Sequence, residues 1–116
     1  MTTPKELRVS KDRRLLTVTF PGHQPFELPA ELLRVLSPSA EVQGHSAGER
    51  VTVPGKRNVA ISQLEPMGNY AVRIVFDDSH STGIFTWTYL HTLGHDKEKR
   101  WAGYLTELQQ KGLSRD

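Results

Sequence analysis

The order of hydrophobic periodicities along the chain constrains its fold more than any other feature. Apolar residues alternate with polar ones in LLTVTF, and in YAVRIVF the large apolar residues Val72, Ile74 and Phe76 fall on one side. This period of two predicts half-buried β-strands. From residue 86 onward the spacing becomes helical, first in TWTYLHTLG and then in DKEKRWAGYLTELQQKG. Strands first and helices last favour an α+β fold, a two-layer sandwich with a mainly antiparallel sheet and helices packed on one face.

Turn residues and prolines set the expected element boundaries. ELRVS, KDRR and LLTVTF predict a strand, a turn and a strand, and the prolines of QPFELP predict an edge strand. Pro29 is predicted to be the first residue of a short helix, PAELLRVL. Gly94 is predicted to end the next helix, and Asp96 to open a last helix that runs to Gly112. The residues expected on the buried stripe of that helix are Trp101, Tyr104, Leu105 and Leu108.

Length and composition describe one ordinary globular domain, residues 1–116. Apolar residues make up 36% of the chain and charged residues 24%, and there is no internal repeat. The absence of cysteine excludes disulfides, thiolate nucleophiles and cysteine-ligated zinc. No apolar run is long enough to span a bilayer, and the N-terminal segment lacks the hydrophobic core of a signal peptide. We therefore expect a bacterial-type cytoplasmic protein with no membrane partner.

Basic residues near the N-terminus do not form a clear nucleic-acid footprint. Glu6 and Asp12 interrupt the cluster, no aromatic residue interleaves with it, and the formal net charge is only +2. These observations disfavour nucleic-acid binding. Binding would require one common face for Lys5, Arg8, Lys11, Arg13, Arg14, Lys56 and Arg57.

The segment DDSHSTGIFTW, residues 77–87, concentrates polar groups around His80. A catalytic triad assembles residues that are distant in sequence, whereas Asp and Ser favour turns because their side chains bond the local backbone. The chain also lacks G-x-S-x-G, and PGKRN lacks the first glycine and the final Ser or Thr of a P-loop. We therefore expect no enzymatic activity and no cofactor.

The remaining histidines do not predict a metal site. His91 and His95 have the spacing of helical metal ligands, but the predicted helix end at Gly94 separates them, and no third ligand is evident. His23 and His45 lie in loops without a partner at ligand spacing. All four are expected at the surface.

Three segments carry a family resemblance that extends from Leu7 to about Leu108. They are ELPAELLRVLSPSAEV, NVAISQLEPMGNYAVRIVFDDSHSTGIFTWTYL and the closing helix. The most specific pieces are Leu33-Arg34, the P-x-G-N-Y run that ends at Tyr70, and D-x-H-x-x-G-I-x-x-W from Asp78 to Trp87. The chain resembles the gamma-butyrobetaine-hydroxylase-like N-terminal domain family. That family includes the N-terminal domains of gamma-butyrobetaine and trimethyllysine dioxygenases, stand-alone bacterial proteins, and segments fused to P-loop iron–sulfur carrier ATPases.

The resemblance implies a degenerate zinc site. In the dioxygenases this domain looks like a zinc-binding accessory to a separate catalytic jelly roll. Its three cysteine ligands fall here on Ser37, Ser39 and Val42, and its histidine ligand falls on His80, in a turn with Ser79 where the family usually has glycine. Three of the four ligands are therefore replaced by groups that do not suit zinc. Hydroxylase activity does not transfer, because the iron and 2-oxoglutarate ligands belong to the other domain.

The leading interpretation is a non-catalytic interaction or accessory module for a protein partner, linked to iron–sulfur protein assembly or to a dioxygenase-type partner. A small-molecule binder or minor enzyme with a pocket around His80, a weak nucleic-acid binder and a homo-oligomer remain open. Without zinc, His80 is expected to hydrogen-bond the Ser37 or Ser39 hydroxyl, and Val42 to enter apolar packing. The candidate interaction residues are Arg34, Asn69, Tyr70, Asp78, His80 and Trp87.

Overall fold

The strands divide into two antiparallel sheets of three strands each. The computed structural model describes residues 3–39 and 51–116, which contain six strands and three helices. In chain order these are β1 (Glu6–Val9), β2 (Leu15–Thr19), β3 (Phe26–Pro29), α1 (Ala30–Val35), β4 (Ile61–Met67), β5 (Ala71–Phe76), β6 (Gly83–Thr86), α2 (Trp87–His95) and α3 (Lys97–Gln110). The predicted α+β class is confirmed, with two small sheets in the place of one.

The core forms where the alternating strand positions meet the helices. Val72, Ile74 and Phe76 of β5 are buried, as their spacing predicts, and Leu64 of β4 pairs with Ile74. Burial of such side chains is the main favourable term in folding. The largest fully buried side chains come from both sheets and all three helices: Leu16, Phe20, Leu28, Leu32, Leu33, Ile61, Ile74, Phe76, Phe85, Leu90, Leu93 and Tyr104.

Arg13 joins the two sheets. Its carbonyl oxygen accepts a hydrogen bond from the Ile61 amide at 2.7 Å, and its Nε donates to the Ile61 carbonyl at 2.6 Å. The Nη2 of Arg13 donates to the Ser62 carbonyl at 2.6 Å. These hydrogen bonds join the turn before β2 to the start of β4. Arg13 therefore has a structural role.

The boundaries of α1 and α2 differ from the sequence predictions. Pro29 ends β3 and caps α1, so the first helical residue is Ala30. Gly94 lies inside α2, which continues to His95, so the predicted helix end at Gly94 is wrong. A Cβ at Gly94 would lie 2.3 Å from Cγ of Phe26. This glycine is needed for close packing of α2 on β3, and a glycine of that kind looks in sequence like one that ends a helix.

The last helix ends as its sequence predicts. Gly112 has a φ of +64°, and the Leu113 amide donates to the Leu108 carbonyl at 2.8 Å, the bonding of a glycine-ended helix. Tyr104 and Leu108 are buried, whereas Leu105, expected on the same stripe, is 39% exposed. No helix among the described residues has the length and apolar composition needed to cross a bilayer.

The C-terminal residues hold the loop that carries Lys56. The Gly55 amide donates to the Ser114 carbonyl at 2.9 Å, and the Arg57 amide donates to the Arg115 carbonyl at 3.0 Å. Two backbone hydrogen bonds therefore fix both neighbours of Lys56, which points this lysine at the turn between β5 and β6.

Candidate functional site

The turn between β5 and β6 is built by its own backbone and by one aspartate. The Phe76 amide donates to the His80 carbonyl at 2.9 Å, and Oδ1 of Asp78 accepts the His80 amide at 3.1 Å. Ser79 has a φ of +73°. Only glycine adopts this conformation without a steric penalty, which is a physical reason for a glycine at this position. The turn therefore holds His80 in one orientation, and this geometry requires a strained backbone conformation at Ser79.

The His80 ring lies between two serine hydroxyls. Its Nε2 is 3.0 Å from Oγ of Ser37 and 3.4 Å from Oγ of Ser39, and the two hydroxyl oxygens are 3.5 Å apart. His80 is 5% exposed, Ser37 0% and Ser39 6%. The predicted contact between His80 and these serines is present. Val42, the fourth residue of the predicted degenerate site, lies outside the described residues.

Gly83 makes the close approach of Ser37 to β6 possible. A Cβ at Gly83 would lie 2.3 Å from Oγ of Ser37, nearer than any non-bonded contact allows. Because Gly83 opens β6 and follows the turn closely, the missing side chain lets the residues after α1 reach His80. We call Ser37, Ser39, His80 and Gly83 the serine–histidine junction.

Asp78 is the second anchor of the turn and faces two cations. Its Oδ2 lies 2.8 Å from Nε of Arg34 and 2.6 Å from Nζ of Lys56. Burial raises the pKa of the Asp78 carboxyl, but the hydrogen bond from Lys56, followed by those from the residue-80 amide and Arg34, lowers it to about 2. The Nη1 of Arg34 is buried and has no hydrogen-bond partner among the described residues. Asp78 therefore acts as a fixed counter-ion at neutral pH.

Trp87 supports the turn that presents Tyr70. Its indole Nε1 donates to the Asn69 carbonyl at 2.8 Å, and its amide donates to the Tyr70 carbonyl at 3.0 Å. Trp87 is 9% exposed, whereas Tyr70 is 57% exposed. A Cβ at Gly68 would lie 3.1 Å from the Tyr70 ring, so the ring lies close over this glycine. Of the predicted interaction residues, Asn69 and Tyr70 are exposed, Arg34 and Asp78 are half-buried, and His80 and Trp87 are buried.

Four of the seven basic residues considered for nucleic-acid binding form ion pairs or hydrogen bonds within the protein. Lys56 pairs with Asp78, Arg57 pairs with Asp116, and Arg13 bonds backbone carbonyls. Nη2 of Arg14 lies 3.1 Å from Oδ1 of Asn58. The remaining three, Lys5, Arg8 and Lys11, are exposed.

A groove of about 360 Å³ adjoins the turn on the side of Asp77 and Asp78. Lys56, Arg57 and the C-terminal residues also line it, but the His80 ring does not. This groove is therefore not the pocket around His80 that the alternative of a small-molecule binder or minor enzyme would require.

A sequence model of one protein family, described as gamma-butyrobetaine hydroxylase-like, N-terminal, matches residues 7–91. The chain belongs to this family. The resemblance carried by Leu33-Arg34, the P-x-G-N-Y run and the His80 turn is thereby confirmed. A comparison with curated proteins finds no match.

Solved structures similar to this gamma-butyrobetaine hydroxylase-like domain extend over most of its length. Two NMR solution structures are 46% and 43% identical, with TM-scores of 0.86 and 0.84, and cover 100% and 99% of this chain and 91% and 86% of their own. A crystal structure of a protein of unknown function of the DUF971 family, from Acidithiobacillus ferrooxidans, is 36% identical with a TM-score of 0.65. That match covers 79% of this chain and 92% of the other.

In this gamma-butyrobetaine hydroxylase-like domain the residues of the junction do not fit the zinc ion that the resemblance implies only for the dioxygenase domains. The donor set that faces Nε2 of His80 consists of two neutral serine hydroxyls, whereas structural zinc sites use thiolates and imidazoles. The chain has no cysteine, and the described residues contain no group of three His, Asp or Glu side chains arranged to hold an ion. The geometry instead suits hydrogen bonding between the imidazole and the hydroxyls.

Two residues of the site escaped the sequence analysis. Lys56 was considered only as part of a basic cluster, and Gly83 only as part of a motif. Lys56 and Asp78 are 22 positions apart in sequence, and Gly83 and Ser37 are 46 apart. No local spacing predicts contacts over such separations. They depend on how the segments before β4 and after α1 pack against the second sheet.

Proposed function

We propose that this chain is a non-catalytic interaction module whose former zinc position has become a metal-free packing contact. The observation that carries the proposal is the triangle formed by Oγ of Ser37, Oγ of Ser39 and Nε2 of His80, with sides of 3.0, 3.4 and 3.5 Å. Ligand atoms around tetrahedral zinc are about 3.5 Å apart, given a Zn–N bond of about 2.0 Å and a Zn–S bond of about 2.3 Å. The triangle therefore has the dimensions of a metal site with donors that suit hydrogen bonds.

Burial and charge argue against catalysis at this position. The His80 ring is 5% exposed, so a substrate has little access to it. Asp78, with its pKa lowered to about 2 by the cations around it, does not exchange protons at neutral pH. A general acid or base needs a pKa near the working pH and contact with the reacting group. Neither described group meets both conditions.

The turn at residues 68–70 is the surface we assign to a protein partner. Tyr70 is more exposed than any other large hydrophobic side chain of the described residues. Trp87 donates one hydrogen bond to the Asn69 carbonyl and one to the Tyr70 carbonyl, so the backbone of this turn loses little conformational entropy when a partner binds. Tyrosines presented in this way are frequent hot spots at protein interfaces. By the family resemblance, we propose a partner in iron–sulfur protein assembly or of the dioxygenase type.

Affinity purification from the native host, followed by mass spectrometry, tests the interaction. We expect Tyr70→Ala to reduce recovery of the partner at least ten-fold, because the variant removes the exposed ring and leaves the Trp87 hydrogen bonds intact. Leu105→Ala is the matched control, since Leu105 is also exposed but lies on α3. Equal recovery with wild type and Tyr70→Ala, or no reproducible partner at all, would contradict the proposal.

Restored ligands test the degenerate metal site separately. The triple variant Ser37→Cys, Ser39→Cys, Val42→Cys is expected to bind one zinc ion, measured by metal analysis of the purified protein. The same variant with His80→Gln is the control and should bind zinc at least ten-fold more weakly. Zinc binding by the wild-type protein that requires His80, or none by the triple variant when folded, would contradict the assignment.

A further inference from the structure

We propose that residues 114–116 occupy a docking site for an extended segment of a partner protein, one that carries an arginine followed by an acidic residue. The site, which we call the arginine site, consists of Glu31, Trp101 and the loop at residues 55–57. Tyr70 precedes β5, whereas this loop contacts Asp78 at the other end of that strand. The arginine site is therefore separate from the partner surface assigned to Tyr70.

The arginine site binds both the charge and the face of the Arg115 guanidinium. Nε and Nη2 of Arg115 donate to the two carboxylate oxygens of Glu31 at 2.8 and 2.7 Å. The guanidinium carbon lies 5.2 Å from the centre of the Trp101 ring. A guanidinium can pair with a carboxylate through two parallel hydrogen bonds and stack on an aromatic ring, whereas an ammonium group lacks this planar geometry. The site therefore selects arginine over lysine.

The two partners of this ion pair differ in how they belong to the fold. Glu31 lies on α1 with its side chain 7% exposed, whereas Arg115 is 31% exposed and follows the last helix. A buried carboxylate without a cation is strongly destabilising. Glu31 therefore requires a cation, and any arginine side chain that reaches it can take this position.

The main chain of residues 114–116 is bound in the way that proteins bind peptides. The carbonyls of Ser114 and Arg115 accept hydrogen bonds from the Gly55 and Arg57 amides at 2.9 and 3.0 Å, and the Arg57 side chain pairs with Asp116. In peptide recognition, main-chain hydrogen bonds supply affinity and side-chain sites supply specificity. A protein segment can reproduce all of these contacts. Free arginine cannot, because it lacks the preceding carbonyl and the acidic side chain that follows.

Open space beside the ion pair gives an incoming arginine access to the site. A cavity of about 260 Å³ is lined by both Glu31 and Arg115, so a second guanidinium can approach the carboxylate before Arg115 leaves. The other charged residues that line it, among those the structure describes, are Glu98 and Lys97, and the Lys97 ammonium donates to the Glu27 carbonyl at 2.9 Å. Glu98 therefore adds a carboxylate that attracts an approaching cation.

Occupation by residues 114–116 sets the expected affinity. A site that is open for only a fraction of the time binds its ligand more weakly, in proportion to that fraction. The arginine site should therefore bind a partner segment weakly in the wild-type protein and more tightly when Arg115 is removed.

The test uses the ¹⁵N-labelled full chain and the peptide acetyl-Leu-Ser-Arg-Asp-amide, followed by NMR titration. In the wild-type protein we expect shifts of the Trp101 indole signal and of the Gly55 and Arg57 amide signals. Arg115→Ala should bind the peptide at least ten-fold more tightly than the wild type, because the competing side chain is absent.

Two altered peptides test the choice of ligand without changing the protein. One has citrulline, which is neutral and has nearly the shape of arginine, in the arginine position, and the other has lysine. Both should bind the wild-type protein and Arg115→Ala at least ten-fold more weakly than the arginine peptide, because neither forms the charged two-bond pair with Glu31.

Control variants locate the binding. Adding Glu31→Gln to Arg115→Ala should weaken peptide binding at least ten-fold. Glu65→Gln, which breaks a comparable pair with Arg73 on the second sheet, is the matched control and should leave the affinity unchanged. Tyr70→Ala should also leave it unchanged, so failure of the arginine site and failure of the proposed function give different results.

Three outcomes would overturn the proposal. The first is binding by Arg115→Ala without any shift in the wild-type protein, because residues 114–116 would then be a permanent part of the fold. The second is equal affinity for the arginine and citrulline peptides. The third is a dimer, detected by analytical ultracentrifugation, that Arg115→Ala abolishes, because the occupant would then be a second copy of this chain.

Discussion

The serine–histidine junction resembles a second region in its construction but differs from it in chemistry. In that region, which we call the His23–His91 cluster, the rings of Phe20, His23 and Phe26 pack around His91. In each, a glycine without room for a side chain lets two elements meet: Gly83 against Ser37, and Gly94 against Phe26. His80 is buried among hydroxyls, whereas His91 is half-buried among rings and adjoins the exposed His23. The two histidines therefore differ in their neighbours: His80 makes polar contacts, and His91 packs against aromatic rings.

The difference also concerns charge. The turn that carries His80 is anchored by the half-buried pair of Arg34 and Asp78, with Lys56 as a second cation. At the end of α2, beyond the His23–His91 cluster, Asp96 faces His95 and, at 3.9 Å, Arg100, and all three are accessible to solvent. Charge therefore stabilises the first region, while solvent screens the second.

The largest expected effect comes from Asp78→Asn. The change keeps an oxygen for the His80 amide but leaves Arg34 and Lys56 without a counter-ion, and we expect a loss of about 3 kcal/mol in the free energy of unfolding. Asp116→Asn, which breaks the exposed pair with Arg57, should cost less than about 0.5 kcal/mol. Urea denaturation measures both. Equal losses of unfolding free energy for the two variants would mean that the half-buried pair contributes no more to stability than the exposed pair.

Alanine at the two glycines is expected to have the next largest effect. Gly83→Ala and Gly94→Ala each force a Cβ to within 2.3 Å of a neighbouring atom, and we expect losses of about 2 kcal/mol. Gly103→Ala on α3 is the control, because no atom lies within 4 Å of its Cβ position. It should stabilise the protein by about 0.5–1 kcal/mol. Thermal unfolding of all three variants would show whether both regions depend on close approach.

Ser37→Ala should have a smaller effect. It removes the hydroxyl nearest to Nε2 of His80, and one hydrogen bond contributes about 1 kcal/mol to stability. The exposed Ser62→Ala should change the free energy of unfolding by less than about 0.5 kcal/mol. If chemical denaturation gave equal values for the two variants, the junction would contribute nothing through this bond.

The smallest expected effect is a difference in acid sensitivity. The pKa of Asp78 is lowered to about 2 in the folded protein, below its usual value of 3.8. Its contribution to stability is therefore complete above about pH 5 and is lost as the pH falls from about 4 toward 2. Denaturation midpoints between pH 5 and pH 3 should fall more steeply for wild type than for Asp78→Asn. Parallel slopes would contradict the lowered pKa.

Local sequence patterns predicted the secondary-structure elements. They failed where the same residue type is found in two different structural roles. The alternation of Val72, Ile74 and Phe76 identified β5 because a strand places every second side chain on one face. Gly94 was misplaced because close packing and helix ending both select glycine. Leu105 follows a helical stripe, yet it is exposed, since only the facing elements determine how wide the buried stripe is.

The sequence by itself determined the α+β class, because periodicity is a local property, and it indicated the family through its motifs. The contact of His80 with Ser37 and Ser39 was expected only from the positions that the family resemblance assigns to them. Only the tertiary structure decided that Lys56 joins Arg34 at Asp78, that Gly83 admits Ser37, and that His23 meets His91. These contacts join residues far apart in the chain. Their formation depends on how the sheets and helices pack, which no short stretch of sequence encodes.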